Sequence, residues 1–101
     1  MAKNALKDES GTTAGSLAYW HAHRQELGNI QKARCGPGEP GHLEIEGTMG
    51  FMDLPGCTCG YGGEGPHGTA EILEDIGVSP EDAQALMQQA VFEVLIQCCR
   101  D

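Results

Sequence analysis
The chain has 101 residues, a net charge of −9 and only 5% aromatic residues, so it suits one small domain that is poor in the large apolar groups that anchor a core. A scaffold of this kind calls for support beyond packing, from a metal, disulfides or self-association. From residue 35 onward twelve carboxylates face a single cation, Arg100, which argues against phosphate backbones and anionic membranes as partners and favours basic proteins or metal ions.

Residues 1–15 are polar and nearly free of apolar side chains, the pattern of a flexible tail, leaving 16–101 as a single small domain. The segment MAKNALKDESG lacks the basic-then-apolar order of a secretory signal, and no apolar run reaches the length of a membrane span. With an odd number of cysteines, five, this predicts a soluble cytoplasmic protein whose thiols stay reduced.

Ser16 can cap a helix over 17–27, with Leu17, Trp20, Arg24 and Leu27 on one face and Gly28 as its stop; the helix can resume through Ile30 to Ala33. His21 and His23 point in different directions on such a helix and are poorly placed to hold one ion, whereas His23 and Glu26 are suitably spaced. Both positions also fit a solvated helix face.

After Cys35 the glycines and prolines up to Gly41 force a loop. His42-Leu-Glu-Ile-Glu46 then alternates polar and apolar residues as a strand does. Gly47 to Gly50 can turn the chain into a second strand through Met49, Phe51, Met52 and Leu54, which Pro55 should end. If the turn centres on Gly47, Cys35 comes opposite Cys59; if it centres nearer Gly50, His42 comes opposite Thr58.

These registers select a candidate metal site. Structural zinc takes four tetrahedral nitrogen or sulfur donors. Cys57 and Cys59 form one close pair, and Cys35 with His67 completes the set, with His42 as a substitute for His67. Zinc is favoured because it accepts mixed cysteine and histidine ligation, and a [2Fe–2S] cluster is the alternative. Cys57-Thr-Cys59 followed by Pro66 resembles the opening of the CDGSH iron–sulfur motif over about ten residues. That family then requires a third cysteine and a histidine beyond the proline, where this chain has His67-Gly68 and no cysteine before Cys98, so the family's function is not carried across.

In the last third, Thr69 can cap a short helix over 71–76 that Gly77 stops. Ser79-Pro80-Glu81-Asp82 is a strong helix start, and the three-and-four spacing of Ala83, Leu86, Met87, Ala90, Val91, Val94, Leu95 and Cys98 predicts one helix from Pro80 to about Cys99. Phe92, Ile96 and Cys99 add apolar character on its other side, so a homodimer or a protein partner is expected to cover it. Cys98 and Cys99 suit buried small hydrophobes better than ligands.

The expected fold is therefore small α+β and metal-stabilised: an N-terminal helix, a short β-hairpin with a Gly-rich loop, and a C-terminal helical hairpin. No nucleotide-binding loop, nucleophile elbow or metalloprotease motif is present. The expected function is a non-enzymatic, zinc-stabilised, self-associating module that binds protein, as an accessory or inhibitor. Two alternatives remain. One is a thiol redox or metal-handling protein using Cys57 and Cys59. The other is a nucleic-acid-binding module built on the helix-hairpin-helix-like corner ILEDIGVSPEDAQALM, whose acidic second helix opposes phosphate contact.

Overall fold
The alternation in His42-Leu-Glu-Ile-Glu places Leu43 and Ile45 on one face of a strand and the charged residues on the other, and this strand lies at the centre of a five-stranded sheet. The computed structural model describes residues 4–36, 41–60, 63–89 and 91–96. Its strands are β1 (Asn4–Lys7), β2 (Ile30–Cys35), β3 (His42–Gly47), β4 (Gly50–Thr58) and β5 (Phe92–Leu95), in the order β1-β4-β3-β2-β5. The β1–β4 pair is parallel and the other pairs are antiparallel. The helices are α1 (Thr13–His23), which runs on into a 3-10 turn at Arg24–Leu27, α2 (Glu64–Asp75) and α3 (Pro80–Met87).

Leu43, Ile45, Met52, Leu54, Ala33, Cys35 and Phe92 share the inner face of the sheet and are buried. α1 and α2 pack over β4, and α3 packs on α2. Trp20 is fully buried, and its Nε1 donates to Asp75 Oδ2 at 3.1 Å, which ties α1 to the end of α2. The α+β class and the paired C-terminal helices agree with expectation, and Gly28 (φ 74°) ends the first helical segment at Leu27.

β4 does not end at Pro55. His42 pairs with Thr58 while Leu43 pairs with Leu54, so Pro55, Gly56 and Cys57 form a bulge on β4. Proline has no amide proton for the ladder, and α1 satisfies the displaced backbone instead. Ser16 Oγ accepts from the Gly56 amide at 2.9 Å, and Thr13 Oγ1 donates to the Gly56 carbonyl at 2.8 Å. Ser16 is thus a buried clamp inside the helix, and Thr12 is the N-cap, accepting from the Gly15 amide at 3.0 Å.

Four other expectations are corrected. Part of the segment read as a tail forms β1, and α1 begins at Thr13. Ile30 to Ala33 belongs to β2, where Lys32 and Arg34 alternate with the inward Ala33 and Cys35. Thr69 lies within α2, which begins at Glu64 behind Gly63, and its Oγ1 donates to the Thr58 carbonyl at 2.6 Å. The helix from Pro80 stops at Met87, and Phe92 to Leu95 pairs with β2 instead of continuing it. Phe92 and Val94 favour strand conformation, and a ready ladder partner in β2 overrides the helical spacing. Cys98 and Cys99 lie outside the described residues.

Candidate functional site
Cys35, Cys57 and Cys59 reach one buried region from two strands. Cys35 ends β2, Cys57 lies in the bulge, and Cys59 follows β4 just before the Gly60 amide bonds to the Met87 carbonyl at 2.9 Å. None of the three forms a disulfide. Burial pushes the Cys35 thiol up, helped by its hydrogen bond to Cys59 and the charges of neighbouring groups. Burial likewise pushes Cys57 up, to about 12, with the negative charges of Asp8 and Glu71 adding to the effect. At neutral pH these two groups are thiols, not thiolates.

Asp8, itself buried, is held below the usual carboxylate range although burial acts the other way. Hydrogen bonds from Ser16 Oγ (2.6 Å), Ser10 Oγ (2.8 Å) and the Ser10 amide (3.0 Å) outweigh that burial. Through Ser16 this carboxylate anchors the bulge that carries Cys57.

His67, expected as the fourth ligand, is exposed on the first turns of α2. His42 comes opposite Thr58, as in the second of the two registers, and faces away from the thiols toward the outer side of the sheet. There it meets two carboxylates. Among the described residues, His42, Glu44 and Asp53 are the one group of three or more possible metal ligands whose ligand atoms all lie within 4.8 Å of one another. The thiols join no such group. His23 Nδ1 does meet Glu26 Oε2, at 2.6 Å, as a pair on the helix surface.

The outer face of the sheet carries a grid of charged residues. The registers arrange it in two rows: Leu95, Lys32, Glu46, Phe51 and Ala5, then Glu93, Arg34, Glu44, Asp53 and Lys7. Lys32 Nζ sits 3.4 Å from Glu46 Oε1 and 3.2 Å from Glu93 Oε2, while Arg34 pairs closely with Glu44. Hydrogen bonds and charge from Glu93 and Glu46 raise Lys32 above the usual lysine range. Lys32, Arg34, Glu44, Glu46, Phe51 and Asp53 line a shallow depression of about 370 Å³. The helical layer leaves this face open, and Phe51 on it is 48% exposed.

The thiols were visible in the sequence, but the outer grid was not. Its signal was the charge complementarity of Lys32-Ala-Arg34 with Glu44-Ile-Glu46, which only a β2–β3 pairing brings together.

Comparison with family models, curated proteins and solved structures found no match to this chain.

Proposed function
We propose that the chain is a non-enzymatic protein-binding module that docks through the open face of its sheet, with Phe51 as anchor. The exposure of Phe51 carries this reading. The chain has two phenylalanines; Phe92 is buried in the core, whereas Phe51 stands on a face that no described helix covers. Exposed Met49 lies two residues before it, in the β3–β4 turn, and Lys32, Glu46 and Asp53 form a charged margin. An exposed aromatic inside a polar rim is the composition of a binding patch. The acidic body of the domain suits a basic partner.

A redox role for Cys57 and Cys59 has weaker support, because reactive cysteines are accessible and ionised. A nucleic-acid role would place phosphate against α2 and α3, which carry Glu71, Glu74, Asp75, Glu81 and Asp82 and no lysine or arginine. Self-association was expected from one long apolar helix. Instead Ala83 and Met87 are buried within the fold and Phe92 belongs to the sheet, which removes that reason. No helix among the described residues is long and apolar enough to cross a membrane.

Affinity capture from the native host tests the proposal, using the wild-type chain and a Phe51→Asp variant shown to be folded by circular dichroism. The expected result is a basic protein whose capture weakens by about 30-fold or more in the variant, as for loss of a hot-spot aromatic, and weakens with added salt. Capture that is indifferent to Phe51→Asp would exclude this face.

A further inference from the structure
Within the second row of the open face the charges run Glu93 negative, Arg34 positive, Glu44 negative, Asp53 negative, Lys7 positive. Two carboxylates therefore stand directly opposite each other on β3 and β4, an arrangement that destabilises a sheet unless a cation intervenes. Arg34 serves Glu44 from the β2 side, away from Asp53. On the other carboxylate, Asp53 Oδ1 is shielded from solvent and accepts no hydrogen bond of good geometry, although His42 Nε2 lies 2.6 Å from it. The β4 bulge brings His42 beside this pair by shifting its partner to Thr58.

We propose that His42, Glu44 and Asp53 bind a divalent ion of the zinc type on the open face of the sheet. One imidazole nitrogen and two carboxylate oxygens make a borderline donor set, suited to zinc or cobalt; calcium and magnesium prefer oxygen ligands alone. Three protein ligands leave a fourth position for water or for a donor from a docked partner. Their ligand atoms all lie within 4.8 Å of one another, and holding one ion at about 2.0–2.2 Å needs only small side-chain shifts, with the 2.6 Å His42–Asp53 contact opening slightly. The ion would sit between the opposed carboxylates, where His42 Nε2 already lies 2.6 Å from Asp53 Oδ1. The site is separate from the buried thiols, and zinc titration needs no protein partner, so it can fail or succeed independently of the docking role.

The experiment is calorimetric titration of the full reduced chain with zinc chloride at neutral pH, repeated with cobalt and read by visible absorption. One equivalent is expected, with a cobalt spectrum lacking thiolate charge-transfer bands. His42→Ala and Asp53→Asn, both at half-buried surface positions and checked for folding, should each weaken binding at least about tenfold, the lower range for perturbing a metal site. Cys57→Ala should leave the affinity unchanged. Absence of zinc uptake by the folded chain, uptake that survives both variants, or a thiolate band from cobalt would overturn the assignment.

Discussion

Replacing Gly56 with alanine is expected to destabilise the fold by about 3 kcal/mol or more, near the upper range for forcing an extra group into a packed interior. A Cβ at this position would overlap the Thr12 carbonyl and crowd Ser16 Oγ. The helix would have to lift from β4, loosening the bonds of Ser16 Oγ and Thr13 Oγ1 to the Gly56 backbone. Each lost bond adds about 1 kcal/mol, in a domain whose whole stability is on the order of 5–15 kcal/mol. Urea denaturation measures the effect. Gly77→Ala is the control: Gly77 has a φ of 108° but nothing within 4 Å of an added Cβ, so only backbone strain of about 1–2 kcal/mol is expected there. Equal losses in the two variants would mean that α1 does not sit on the bulge.

Alkaline pH should unfold the chain through its buried thiols. Cys35 and Cys57 both have folded-state values raised above those of the unfolded chain. Between the two values the folded state holds more protons, so stability falls as pH rises. Their contribution is complete below about pH 8.5, the ordinary cysteine value. It is lost progressively as pH climbs toward the Cys57 value of about 12. Each thiol contributes up to about 1.4 kcal/mol per pH unit in that window. Urea midpoints measured at several pH values should therefore fall steeply above the window's lower edge, and the Cys57→Ala variant should show the shallower slope of one thiol. An unchanged slope in the variant would show that the fold does not raise Cys57 above its unfolded value.

Several elements are set by local residue patterns alone. Ser79-Pro80-Glu81-Asp82 starts α3 as written, with Ser79 Oγ accepting from the Asp82 amide at 3.2 Å. The alternation through His42 to Glu46 marks β3, and Gly28 stops the first helical segment. What local rules missed was strand pairing over distance. β1, β2 and β5 have four to six residues each, and their ladder partners lie elsewhere in the chain. Phe92 to Leu95 satisfies a helical stripe and a strand equally well, and only β2 beside it decides between them. The same limit affected the site. Cysteine spacing pointed to a thiol cluster, while the charged grid and the meeting of His42 with Asp53 exist only once β2, β3 and β4 are in register.

Cys35, Cys57 and Cys59 are buried in the apolar core between the helical layer and the inner sheet face, and this packing is expected to hold the fold without a bound metal. Thermal unfolding of the reduced chain with and without a strong chelator, followed by the fluorescence of buried Trp20, tests it most directly. The expected result is a cooperative transition that persists in the chelator, with at most a modest lowering from loss of a surface-bound ion. A chain that unfolds when metal is removed, as zinc-dependent domains do, would contradict the account and return Cys35, Cys57 and Cys59 to the role of ligands.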